Sequence, residues 1–327
     1  MPRRARLDAP GTLHHVIIRG IERRKIADDD KDRSGFVDRM GRLSIDLNTP
    51  IYSWSLMTNH AHILLKSGPS GLPDFMRKLL TGYAINYNKR NRRYGHLFQN
   101  RYKTIVCEED AYFKELVRYI HLNPLRAGLV DTLSKLDWYK WSGHSVILGR
   151  RKNLWQDRGY VLTWFGPTDR EAKQHYRRFV EKGIAIGRQP QLVGGGLIRS
   201  LGGWAQVKAI RRIGEKEASD ERISGSGKFV ERITQETALT NKYRYSDLDR
   251  KQKARNIISN LCKKRGVSVD ALQAGSRRSQ ISKIRAELSL MLVDELGLSL
   301  AEVARLLGVT TSAVTRAIRR IKQHKLN

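Results

Sequence analysis

Ile51-Tyr52-Ser53-Trp54-Ser55-Leu56-Met57-Thr58-Asn59-His60-Ala61-His62-Ile63-Leu64-Leu65-Lys66 is the stretch whose reading decides the fold. Two runs rich in β-branched, aromatic and aliphatic residues, 51–57 and 60–66, flank the polar pair Thr58-Asn59. That is the pattern of a tight β-hairpin. Side chains along a strand alternate between faces. Ala61, Ile63 and Leu65 therefore turn to a core, while His60 and His62 share the other face, their Cα atoms roughly 6–7 Å apart. Two imidazoles at that spacing can close on one divalent cation, given a third ligand. The competing reading is a pair of ordinary hydrogen-bonded histidines, in a chain that holds nine.

Working outward, residues 14–18 read as a strand. Asp28 to Asp32 opens a helix through Phe36, Met40, Leu43 and Leu47, spaced at three to four residues. Gly68-Pro69-Ser70-Gly71 then breaks the chain. Residues 72–91 read as a helix with Phe75, Leu79, Tyr83 and Tyr87 along one side. Residues 103–107 form a fourth strand, and 109–122 a helix that Asn123-Pro124 stops. The order β-α-β-β-α-β, followed by a further helix, predicts an α+β fold. Its core is a ferredoxin-like split arrangement with a four-stranded antiparallel sheet and helices on one face.

The chain has 327 residues, with 62 Lys and Arg against 32 Asp and Glu, a formal charge of +30. The length suggests two or three domains. A hydrophobic content of 40% supports real cores and excludes a disordered basic tail. So positive a surface field points to nucleic acid as the partner. No apolar run approaches the ~20 residues of a membrane span. The basic start, Met1 to Arg6, lacks the apolar stretch of a signal peptide. Cys107 and Cys262 make neither a disulfide framework nor a cysteine zinc site. The expected location is the cytoplasm, in association with the nucleoid.

Three segments are expected: a catalytic domain over 1–130, an extension over 131–238 and a helical DNA-binding domain over 239–327. Trp138, Trp141, Trp155 and Trp164 give the extension a packed part, with a helix near 171–182. Gly194-Gly195-Gly196 lacks the Lys-Ser/Thr of a phosphate-cradling loop and reads as a turn or hinge. In the last segment, residues 299–318 have helix-turn-helix spacing. Ala304 is small where two helices cross, Gly308 stands at the turn, and Val309 and Val314 pack back. Thr310, Thr311, Ser312 and Thr315 offer an N-cap and groups for phosphates or base edges. Arg316, Arg319 and Arg320 line the second helix with charge. Duplex DNA is the expected partner of this segment.

Candidate chemistry lies after the fourth strand, in Tyr119-Ile120-His121-Leu122-Asn123-Pro124. Tyr119 and Asn123 are four apart and share a helix face. Facing His60 and His62, they would complete a site of two imidazoles, an amide oxygen and a phenol. Such a set leaves room on Mg²⁺ or Mn²⁺ for phosphate oxygens and water. A phenol needs local cations to become a good nucleophile, and Arg118, Arg101 and Lys103 are near in sequence. Tyr83, Tyr87, Tyr94, Tyr102 and Tyr112 compete with Tyr119. His121, on another helix face, reads as structural.

These stretches together carry a family likeness. They are His15-Val16 with Arg19-Gly20 and Glu22-Arg23-Arg24; Asn59-His60-Ala61-His62; Gly95 to Lys103; and Tyr119 to Val130. Residues 14–130 resemble the single-tyrosine transposases of the His-hydrophobe-His nuclease superfamily, above all the REP-associated tyrosine transposase branch. The resemblance implies a metal-dependent endonuclease and strand transferase acting on single-stranded DNA beside hairpins. Its intermediate would be a 5′-phosphotyrosine, with a free 3′-OH for later rejoining. It makes Tyr119 the nucleophile and His60, His62 and Asn123 the metal ligands. Asn123 stands where relatives often carry Gln, which shortens the reach. Arg19, Arg23, Arg24, Arg101, Lys103 and Arg118 are expected on DNA. Relatives often work as dimers, which leaves room for a homodimer here.

Residues 275–285 with Leu298-Ser299-Leu300 look like the duplex-binding domain of the bacterial replication initiator. The initiator's Gly-Arg-Asp-His-Thr-Thr signature is replaced by Gly308-Val309-Thr310-Thr311-Ser312. The alternative to the enzyme is a DNA-binding regulator or architectural protein with a vestigial nuclease site. A replication or relaxase-type nickase on the same chemistry is a third reading.

Overall fold

A computed structural model describes residues 7–8, 10–187, 189, 192, 220, 222–243, 247–274, 276, 278–294, 296 and 298–324. Gly194–Gly196, Gly275 and Arg277 lie outside the described residues, as does the side chain of Arg319. The chain divides into two compact units. One comprises Met1–Phe75 with Tyr87–Lys242, the other Met76–Asn86 with Tyr243–Asn327.

The described chain opens β1 (Leu13–Arg19), α1 (Asp30–Asp46), β2 (Ile51–Leu56), β3 (His60–Lys66), α2 (Leu72–Arg90), β4 (Lys103–Cys107) and α3 (Glu109–Arg126), the middle of α2 belonging to the second unit. Asp29 caps α1, its side chain accepting from the Asp32 N–H at 2.9 Å. The strand order β2-β3-β1-β4 with antiparallel neighbours is that of the split β-α-β-β-α-β arrangement. Among the described residues the sheet has five strands rather than four. The two-residue β5 (Ile223–Ser224) adds in parallel outside β4.

Chain from beyond residue 130 bonds to both outer strands of the split core. On the β2 side, Leu56 N–H donates to the Trp141 carbonyl at 2.9 Å, and Ser55 bridges to Ser142. Trp54 Nε1 donates to Gln156 Oε1 at 2.9 Å. On the other side, Val106 N–H donates to Arg222 O and Glu108 N–H to Ser224 O, both at 2.8 Å.

The histidine face of the sheet is not left bare. Leu13, Tyr52, Leu64, Ile105 and Cys107 pack with Phe113, Leu116, Val117 and Ile120, so α3 covers the histidine face of the sheet. Val16, Ile18, Ala61, Ile63 and Leu65 alternate to the other face and are buried there. Nor does α3 stop at Asn123. Pro124 lies inside its last turn, where the missing N–H forfeits a single bond to Ile120 O. Asn123 therefore stays helical, one turn beyond Tyr119.

The extension holds α3 in place through α4 (Leu133–Trp138), α5 (His144–Ile147), α6 (Arg158–Thr163) and α7 (Asp169–Lys182). Asp137 accepts from His144 Nε2–H at 3.0 Å and from Arg177 Nε–H at 2.8 Å. His144 Nδ1 then accepts from the Tyr176 hydroxyl at 2.6 Å, and Tyr176 Oη accepts from His121 Nδ1–H at 2.7 Å. His121, His144 and Tyr176 are fully buried. This chain of bonds ties α3 to α7 and fixes which way Tyr119, two residues from His121, is turned.

After α8 (Gly227–Tyr243), the helices α9 (Asp247–Lys264), α10 (Val269–Gln273), α11 (Ser279–Asp294), α12 (Leu300–Leu306) and α13 (Thr311–His324) carry a second core. It includes Ile258, Leu272, Leu288, Val303, Val314 and Ile318. Ser299 and Glu302 form a capping box on α12. Gly308 has φ +63° in the α12–α13 turn, and a Cβ there would fall 2.0 Å from Gln273 O. Gly308→Ala meets both a left-handed backbone and an immovable carbonyl. It is expected to cost about 2–4 kcal/mol in denaturant unfolding of these helices.

Candidate active site

His60 and His62 share a face of β3, with ring centroids 5.4 Å apart. Two residues further inward on the same face, His15 of β1 stacks against His62 at 5.1 Å. Tyr119 of α3 meets this group edge-on, its ring 5.8 Å from His62 and 6.0 Å from His15. Its competitors have other surroundings. Tyr94 is 93% exposed, and Tyr87 donates to Asp28 at 2.6 Å. Tyr102 is buried, and Tyr112 packs on the α3 core.

Hydrogen bonds around the two histidines settle which nitrogen keeps a lone pair. Asn59 Nδ2 donates to the Arg23 carbonyl at 3.0 Å, so its Oδ1 faces His60 Nδ1 at 2.7 Å. His60 Nδ1 must donate, and Nε2 keeps the lone pair. His62 Nδ1 lies 2.8 Å from His15 Nε2, which leaves His62 Nε2 outside that bond. Burial pushes the pKa of His60 down to about 4 and that of His62 well below the usual imidazole range. Nearby positive charge on Arg19 acts in the same direction. Both rings are neutral, the form in which imidazole binds a metal.

Among the described residues, no group of three His, Cys, Asp or Glu side chains gathers to hold a metal. Further donors to a cation at His60 and His62 would be amide, phenol, phosphate or water oxygens. Asn123 is a candidate by chemistry. Its Nδ2 is buried and has no hydrogen-bond partner among the described residues. Two neutral nitrogens completed by oxygen donors fit Mg²⁺ or Mn²⁺.

The guanidinium of Arg126 lies over the Tyr119 ring, 5.4 Å from its centroid, with Nε and Nη1 buried and without a hydrogen-bond partner among the described residues. Sequence reading missed Arg126, although its spacing from Tyr119 and Asn123 at i, i+4 and i+7 was a usable signal. It also missed His15 as a neighbour of His62, because that proximity depends on strand register.

The expected DNA-contacting cations fall in different places. Arg19 is exposed at the end of β1 and pairs across the sheet with His60. Arg23 and Arg24 are exposed on the adjoining loop, where Glu22 and Arg23 take φ of 51° and 60°. Gly20 anchors that loop by donating to Asn59 O at 2.8 Å, and a Cβ on it would strike Arg24 O. Arg101 and Lys103 are exposed beside β4. Arg118 is buried instead, paired with Glu115 and set over the Phe179 ring at 4.2 Å. In the second unit, Thr310, Thr311, Ser312, Thr315, Arg316 and Arg320 are exposed. Thr310 caps α13 by accepting from Ala313 N–H at 3.2 Å.

Residues 11–123 match the family of IS200-like transposases. The fold is similar to that of a REP-associated tyrosine transposase solved with a REP hairpin. That likeness has a TM-score of 0.40 and 15% identity, over 46% of this chain and 87% of that one. No curated protein matches the chain. No helix of the described residues is long and apolar enough to cross a membrane.

Proposed function

From the match of residues 11–123 to the IS200-like transposase family we propose that the chain is a metal-dependent endonuclease and strand transferase for single-stranded DNA beside hairpins. The observation that carries this reading is the Tyr119 ring set 5.8 Å from His62, on a face where His60 and His62 each keep Nε2 available.

Tyr119 Oη attacks the scissile phosphorus. A P–O bond to tyrosine forms, the bond to the 3′ oxygen breaks, and the strand is left with a 3′-OH. The phenol releases a proton to water and the departing 3′ oxygen takes one up. The phosphotyrosine conserves the phosphodiester's energy, so rejoining needs only attack by a 3′-OH. A divalent cation held by His60, His62 and Asn123 would polarise and orient the phosphate. Arg126 adds fixed positive charge beside the phenol. Arg19, Arg23, Arg24, Arg101 and Lys103 supply exposed charge for the DNA backbone. The buried Arg118 contributes through packing.

The test is a denaturing gel of the full chain with labelled hairpin DNA carrying a single-stranded flank. A covalent adduct should form with Mg²⁺ or Mn²⁺, vanish with EDTA and return when the metal is restored. Adducts that persist in EDTA would refute metal dependence. Duplex binding without any adduct would favour the regulator.

The exposed face of α13 supports a second contact, with duplex DNA, through Thr311, Ser312, Thr315, Arg316 and Arg320. Reversing charge with Arg316→Glu and Arg320→Glu is expected to weaken duplex binding about 10–100-fold at moderate salt and to flatten its salt dependence. Adduct formation on single strands should change by less than about 3-fold. An unaltered duplex affinity would remove α13 from the interface.

A further inference from the structure

His15 stands between a backbone carbonyl and a metal-site histidine. Its Nδ1 lies 2.9 Å from Leu192 O, and its Nε2 lies 2.8 Å from His62 Nδ1. A carbonyl oxygen only accepts, so His15 Nδ1 carries the hydrogen. The ring is fully buried and neutral, which leaves a lone pair on Nε2. His62 Nδ1 must therefore donate, and the lone pair of His62 stays on Nε2. Each tautomer follows from the one before, back to the Leu192 carbonyl. Leu192 is well outside residues 11–123 and is buried in the cluster that includes α3 and α7 residues.

We propose that His15 is a positioning residue, locked by the Leu192 carbonyl, that holds His62 in the Nδ1–H tautomer with Nε2 available to a divalent cation. This rests on the metal-dependent reading above. It gives the extension a part in the site. The histidines come from the sheet, while the acceptor that sets their hydrogen-bond direction comes from a segment the family match does not cover. The neighbouring ligand has its own lock in Asn59 and Arg23 O, so the two histidines are oriented by separate pieces of chain. Partners of this kind typically account for 10–100-fold in metal affinity.

Two measurements on the full chain test the proposal. Long-range ¹H–¹⁵N spectra of the wild-type histidine rings should show both His15 and His62 as Nδ1–H. Finding His62 as Nε2–H overturns the lock. The second is Mn²⁺ titration followed by the spin resonance of the free ion, for wild type, His15→Gln and His15→Leu. Gln offers one acceptor and one donor and should bind Mn²⁺ within about 5-fold of wild type. Leu offers neither and should bind about 10–100-fold more weakly. Equal affinity for Leu and wild type overturns the proposal, as does a Gln variant no better than Leu. If His15→Leu does not fold, the tautomer spectrum and the Gln variant still decide. A wild-type chain that takes up no Mn²⁺ overturns the metal reading, and the proposal with it. Mn²⁺ binding with His62 as Nε2–H overturns the His15 lock alone.

Discussion

Tyr119→Phe is expected to abolish covalent attachment to DNA, with adduct reduced by at least about 10³-fold to below detection, while DNA binding stays within about 3-fold. The variant removes one oxygen and keeps the ring. The edge contacts to His15 and His62 and the Arg126 guanidinium over the ring all involve the aromatic face or edge, which Phe retains. Tyr119 is half-buried, so its loss as a phenol leaves no large cavity and the fold should hold. Binding through the exposed cations does not depend on Oη. A separation of chemistry from binding is therefore the signature of the nucleophile. Adducts that survive in Tyr119→Phe would move the nucleophile to another tyrosine. Equal loss of binding and adduct would mark Tyr119 as structural.

His62→Ala is expected to weaken Mn²⁺ binding by about 100-fold or more and to remove the adduct at ordinary Mg²⁺ concentrations. The estimate exceeds that for losing an orienting partner, because a ligand nitrogen itself is deleted. The substitution also strands His15 Nε2, which bonds His62 in a fully buried position. An orphaned buried acceptor costs about 1–3 kcal/mol, so the variant should melt earlier than wild type. His60→Ala separates the two effects. It removes a ligand from a partly exposed site whose partner, Asn59, is also partly exposed, so metal affinity falls with little loss of stability. Calorimetric Mn²⁺ titration and thermal unfolding of both variants read this out. Unaltered Mn²⁺ affinity in both would dismiss the histidine pair as a metal site.

Much of the candidate site was legible in local patterns. The hairpin and the shared face of His60 and His62 follow from the two-residue period of a strand, which depends only on backbone geometry. Tyr119 and Asn123 follow likewise from the helical period. The end of α3 did not. Pro124 reads as a stop, yet in a last turn it forfeits one bond, and packing of Leu125 on the core sustains the helix to Arg126. The fifth strand was invisible for a related reason. Ile223 and Ser224 are too few to show a period, and their pairing is decided by the unpaired edge of β4.

The sequence by itself determined the element order, the histidine pair and the positive surface, because each is a property of neighbouring residues or of composition. Only the tertiary structure brought Tyr119 to His62, placed Arg126 over its ring and put His15 between His62 and Leu192 O. Those relations depend on strand register, on helix rotation set by the buried Tyr176 network, and on a backbone carbonyl. Every residue type carries that carbonyl, so no side-chain pattern could announce it.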